Sequence, residues 1–138
     1  MEVAVQNVLL IDDSEVDLFI NQQVLRKDQF ASRVERTHTG LEAIALLGQW
    51  ADQPERCPDV ILLDLFMPEM DGFAFLDAFE QLPEAVKNKA SVFMLSSSLY
   101  KQDLQRAEAH PRILKFICKP LHCETMGEIR TLLSPKRE

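Results

Sequence analysis

Glycine is scarce in this 138-residue chain, with four positions, and it is accompanied by only seven prolines and three cysteines. That scarcity excludes a collagen-like repeat and a Gly/Pro-rich disordered tract, and three cysteines do not make a disulfide scaffold. No apolar run approaches the ~20 residues that span a bilayer. The start, Met1-Glu2-Val3-Ala4, has neither the basic region nor the cleavage site of a secretory leader. Positive charge is short as well: 15 Lys and Arg against 22 Asp and Glu leave a net charge of −7. The basic footprint of a nucleic-acid binder is therefore missing, and an anionic membrane surface would repel the chain. Neither a P-loop nor a dinucleotide-binding glycine motif is present. The odd cysteine count (Cys57, Cys118, Cys123) fits a reducing compartment. These bounds describe an acidic, cytoplasmic protein, with residues 1–138 as a single domain.

What is present is an alternation of short apolar runs with longer amphipathic ones. Val8–Ile11, Val60–Leu63 and Val92–Leu95 show no polar alternation, as expected of strands buried on both faces of a parallel sheet. Weaker strands are expected at Ser32–Thr37, towards an edge, and at Ile113–Cys118. Helical patterns lie between them. Ser14 with Asp17 has the spacing of a capping box, followed by a stripe of Val16, Phe19, Ile20 and Val24. Thr39 with Glu42 repeats the cap ahead of Leu41, Ile44 and Leu47, and Gly48 is a natural stop. A third helix starts near Asp71, with Phe73, Leu76 and Phe79 inward and Pro83 bending or ending it. A fourth follows Ser98 and carries Tyr100, Leu104 and Ala107. The fifth carries Met126, Ile129 and Leu133. The loops 51–58 and 83–89 are the expected insertions. The order βαβαβαβαβα implies a parallel sheet with helices on both faces.

Ligands of such sheets bind beyond the carboxyl ends of the strands. Polar residues follow the apolar runs there: Asp12 and Asp13 after the first, Asp64 after the third, Ser96 after the fourth, and Lys119-Pro120 after the fifth. A single Asp after a strand is often only a cap or turn former. Three acids on one edge are harder to explain, because a like-charge pair at ~4 Å and an effective dielectric of ~20 costs about 4 kcal/mol. A cation relieves that repulsion, and an all-oxygen donor set suits Mg²⁺. A carboxylate can also act as a nucleophile and form an acyl phosphate. Cys118, His122 and Cys123 lack the spacing of a usual zinc site, and Cys118 is expected as a small buried residue of the last strand. Phe73, Phe75 and Phe79 are expected in the core.

Asp12-Asp13, the stretch Asp64-Leu65-Phe66-Met67-Pro68-Glu69-Met70-Asp71-Gly72, Ser96 and Lys119-Pro120, in that order, resemble the receiver domains of two-component response regulators. The resemblance runs from about Val8 to Leu133. It implies a flavodoxin-like, doubly wound five-stranded sheet of order 2-1-3-4-5 with five helices. It makes Asp64 the phosphoacceptor, with Asp13 a direct Mg²⁺ ligand and Asp12 its acidic companion. The carbonyl of Phe66 becomes the third protein ligand, alongside Asp64 itself. Ser96 and Lys119 would receive the phosphoryl group, Pro120 would follow a cis bond, and Phe116 would be the aromatic switch. Departures from the family pattern are the bulky Phe66, Ser97 in place of a small alanine, and His110-Pro111 ahead of the fifth strand.

The reading is a phosphorylation switch and not an enzyme. It takes a phosphoryl group from a sensor histidine kinase or phosphotransfer protein. Its output is a contact with a target protein on the face of the fourth helix, fifth strand and fifth helix, without an appended output domain. One rival is an Asp-nucleophile, Mg²⁺-dependent phosphatase, which commonly needs a second acid where Phe66 stands. The other is a binding module that works without phosphorylation, which leaves the set of Asp12, Asp13, Asp64, Ser96 and Lys119 without a purpose.

Overall fold

The computed structural model describes residues 3–97 and 100–137. Five parallel strands, β1 (Val5–Ile11), β2 (Ala31–Thr37), β3 (Val60–Asp64), β4 (Ser91–Ser96) and β5 (Ile113–Cys118), form one sheet of order β2-β1-β3-β4-β5. The helices are α1 (Glu15–Lys27), α2 (Gly40–Trp50), α3 (Gly72–Phe79), α4 (Glu84–Lys87), α5 (Lys101–Ala109) and α6 (Cys123–Arg137). The arrangement is flavodoxin-like, as expected, and β2 is an edge strand. Residues alternate between two cores along each strand. Leu9, Ile11, Ile61, Leu63, Val92 and Met94 pack with α2, α3 and α5, while Val8, Leu10, Val60, Leu62, Phe93 and Leu95 pack with α1 and α6. Both faces of the sheet are dry, which is why these runs carry no polar alternation.

Four expectations are corrected. There are six helices instead of five: α3 ends at Phe79, and Pro83 is the N-cap residue of the short α4 inside the expected insertion. Proline suits that position because the first turn's N–H groups have no helical partner. Gly48 does not stop α2, which continues to Trp50; the buried Trp50 ring and the Cys57 thiol on the Trp50 carbonyl outweigh the propensity of one glycine. In α1 the inward positions are Leu18, Asn21 and Leu25, whereas Val16 is 67% and Phe19 58% exposed and Ile20 also faces out. Cys118 is exposed, at the rim where β5 leaves the sheet. The helix start expected at Ser98 lies outside the described residues; α5 begins at Lys101 with Tyr100 as its N-cap.

Caps fix where each loop turns. Ser14, Thr39 and Asp71 accept hydrogen bonds from the backbone N–H groups of Asp17, Glu42 and Ala74. The loop after β3 is tight. The Gly72 N–H donates to the Leu65 carbonyl at 2.7 Å, and the Met70 N–H donates to Pro68 across Glu69, whose φ is 68°. A Cβ at Gly72 would stand 3.1 Å from the Asp64 carbonyl oxygen and 2.8 Å from the Met94 methyl. By contrast, a Cβ at Gly48 would meet nothing within 4 Å.

The two glycines should therefore respond oppositely to alanine. Gly72→Ala is expected to lower stability by about 1–3 kcal/mol, through overpacking against backbone. Gly48→Ala is expected to raise it by about 0.5–1 kcal/mol, because it only restores helix propensity. Denaturant midpoints of the two variants check both signs.

Candidate functional site

The carboxyl edge of the sheet gathers the charged residues. Asp64 closes β3, whose five residues are all buried, and is itself only 5% exposed. Asp12 follows the adjacent β1 and is buried as well, while Asp13 beside it is exposed. Asp12 is held firmly: its N–H donates to the Thr37 carbonyl, and its Oδ1 accepts from the Ser14 N–H at 2.9 Å. One carboxylate oxygen from each of Asp12, Asp13 and Asp64 lies within 4.8 Å of the other two. These are hard oxygen donors with excess negative charge, and the set fits a small divalent cation such as Mg²⁺.

Lys119 reaches into this cluster from the loop after β5. The Lys119 N–H donates to the Ser96 carbonyl, and the Lys119–Pro120 bond is cis. Its Nζ stands 2.8 Å from Asp12 Oδ2, 2.7 Å from Asp17 Oδ2 and 3.0 Å from Asp64 Oδ1. Burial by itself would depress the ammonium's pKa. The hydrogen bonds to Asp12 and Asp17, with the charges of Asp64 and Asp12, outweigh it and hold the pKa above the ordinary lysine range. The same balance falls the other way for Asp64. Burial first, and the Asp12 charge second, push its pKa up to about 6, even though Lys119 pulls it down.

The remaining expected residues lie on or just beyond the neighbouring strands. Ser96 closes β4 and is fully buried. Phe66 is 51% exposed, two residues past Asp64 on the rim. Phe116, on β5, is half-buried against the core on the α2–α5 side. His122 and Cys123 are exposed at the entrance to α6 and belong to no acidic or thiol cluster found among the described residues. Asp17, expected only as the acid of a capping box, belongs to this centre as well. The signal was there: that position favours Glu or Gln, whose longer side chain reaches back to the cap, and the shorter Asp suits the role less well.

The raised pKa of Asp64 has a consequence for stability. Its folded-state value of about 6 lies above the model value of 3.8, so the folded protein binds this proton more tightly than the unfolded chain. The associated stabilisation is complete below about pH 4 and is lost as pH rises through about 6. With metal chelated at pH 8, Asp64→Asn is expected to be more stable than wild type, by on the order of 2 kcal/mol. The gap should close towards pH 4, and urea melts across that range check it.

A crystal structure of a two-component response regulator from Cytophaga hutchinsonii superposes with a TM-score of 0.85 at 31% identity, covering 94% of this chain and 97% of that one. The Two-component response regulator ORR1 of rice (Oryza sativa subsp. japonica) is 30% identical over 128 residues, which is 91% of this chain and 54% of the relative. The Response regulator Rcp1 of Synechocystis is 31% identical over 100 residues, or 70% of this chain and 65% of the relative. The chain thus spans between about half and two thirds of the length of these curated relatives. Residues 8–130 match the response regulator receiver domain, and the chain belongs to that family.

Proposed function

We propose that this protein is a phosphorylation switch whose acceptor is Asp64. The observation that carries the reading is a buried carboxylate at the end of a central strand, with an ammonium 3.0 Å away and two further acids converging on it. A carboxylate oxygen of Asp64 attacks the phosphorus of a phosphohistidine on a sensor kinase or phosphotransfer protein. The P–N bond breaks, and the leaving imidazole takes up a proton. Asp12, Asp13 and Asp64, with the Phe66 carbonyl, would hold Mg²⁺, which when bound supplies positive charge for the transferring phosphoryl oxygens. Lys119 gives up its ion pair with Asp64 and donates to a phosphoryl oxygen instead, and Ser96 turns its hydroxyl to another. Pro120 sets the turn from which Lys119 extends.

The output in this reading is a protein contact. Phe116 lines a groove of about 320 Å³ with Leu104, Ala107, Ile113 and Leu114, and so has space into which its ring can move. Leu104 in that groove is partly exposed, and Tyr100 is exposed at the start of the same helix. Drawing Ser96 towards the phosphoryl group would bias Phe116 and with it this face. On the donor side, Val16, Phe19 and Ile20 of α1 and Phe66 give the rim an apolar surface that a partner can cover while it presents its phosphohistidine. No helix among the described residues is long and apolar enough to cross a membrane. We place the reaction in the cytoplasm, where the exposed thiols of Cys118 and Cys123 stay reduced.

A small acyl-phosphate donor with Mg²⁺ should leave one phosphoryl adduct on the wild type by intact mass, and none on Asp64→Asn. A fluorine label on the Phe116 ring should shift its resonance as the adduct forms. Catalytic turnover of the donor would instead mark a phosphatase, and no adduct a binding module. The lifetime of the adduct tests the rim. Phe66 offers the hydrolytic water no hydrogen bond and shields its approach, so Phe66→Asn is expected to speed loss of the phosphoryl group by roughly tenfold. Equal decay of the two adducts would remove Phe66 from control of water.

A further inference from the structure

We propose that Asp17 is a positioning residue that seats the Lys119 ammonium away from the metal, leaving Asp12 and Asp64 open to a divalent cation. The inference rests on the reading of Asp12, Asp13 and Asp64 as metal-binding. An ammonium has three N–H donors and no more; Lys119 gives hydrogen bonds to Asp12 and Asp17 and forms an ion pair with Asp64 at 3.0 Å. Two of these partners, Asp12 and Asp64, are also among the three acids whose oxygens converge, while Asp17 is not. Ammonium and metal therefore compete for lone pairs on two carboxylates. The competition is sharpest at Asp12, where Oδ1 already accepts from the Ser14 N–H and Oδ2 from Lys119. Asp17 is the one partner that Lys119 can keep when the metal binds.

Local structure leaves Asp17 available for this task. In a capping box the acid three residues past the cap folds back onto the cap's own N–H. Here Asp12 has taken the Ser14 N–H, and only the other half of the box, the Asp17 N–H on Ser14 Oγ, is made. The Asp17 carboxylate is thereby turned towards Lys119, where it makes the shortest of the three contacts. The competing explanation is generic, since an acid in the first turn of a helix is favourable wherever it points. Glu15 supplies the control. It is the other acid of that turn, it is exposed, and its recorded partner is His38 rather than Lys119.

The test is calorimetric titration of the unphosphorylated protein with Mg²⁺. Asp17→Asn is expected to weaken binding about threefold to fivefold, the scale of a partly buried ion pair. Asp17→Glu should recover most of the loss, and Glu15→Gln should change the affinity by less than about half as much. In a Lys119→Ala background, where nothing competes, Asp17→Asn should have no more effect than Glu15→Gln. Wild-type affinity in Asp17→Asn overturns the assignment. So does an equal loss with and without Lys119, which would mark a diffuse charge effect. A wild type that takes up no Mg²⁺ overturns the reading of the site itself, whereas a binding wild type with an indifferent Asp17→Asn overturns only the role of Asp17.

Discussion

The Lys119 ammonium is the contact on which the carboxyl edge of this sheet depends. Asp12 and Asp64 are buried side by side because β1 and β3 are neighbours, and two such charges without compensation would repel by several kcal/mol. The compensation comes from a residue 107 positions away from Asp12 in sequence. It also crosses the sheet. β4 lies between β5 and β3, so the amine must span two strand spacings, roughly 10 Å, from the direction of the edge. The long lysine stem provides that reach, and the Lys119 N–H is anchored on the carbonyl of Ser96 at the end of the intervening strand.

Much of this was legible in the sequence because burial on both faces writes a plain signal. The runs in β1, β3 and β4 are apolar without interruption, and the polar residues that end them mark the edge where ligands bind. The orientation of α1 was not legible. Its inward row holds Leu18, Asn21 and Leu25, so a buried asparagine breaks the apolar count, while the exposed Val16, Phe19 and Ile20 supply a false stripe. Periodicity assumes that apolar residues point inward, and on this helix several face outward at the rim of the site. Gly48 misled for a different reason: tertiary packing of Trp50 and Cys57 carried the helix past it. The same holds for Pro83, which opens a short helix as readily as it closes one.

Asp17 shows a further limit of sequence reading. Its spacing from Ser14 was recognised correctly, and the hydrogen bond from its N–H to that serine is present. The local spacing does not name the distant partner: Asp12 accepts from the Ser14 N–H, and the Asp17 side chain is left to a lysine 102 residues on. Competition among three acids for two donors, a backbone N–H and an ammonium, decides the outcome, and the sheet topology alone brings those donors together.

The site is held in a compromise between stability and reactivity. In its proposed role as a nucleophile the Asp64 carboxylate must be ionised, yet burial and the Asp12 charge oppose ionisation strongly enough to bring its pKa to about 6. Stronger pairing with Lys119 would ionise it fully, but an ammonium bound too firmly to Asp64 would occupy a lone pair that the proposed attack requires. Dividing Lys119 among three carboxylates resolves the conflict. The ammonium lowers the cost of the cluster through Asp12 and Asp17, and its contact with Asp64 is the longest of the three. The residual repulsion remains as a driving force for whatever brings positive charge or removes negative charge at Asp64. On the proposed reading, an edge destabilised in its resting state is poised to respond, as functional sites commonly are at a cost in stability.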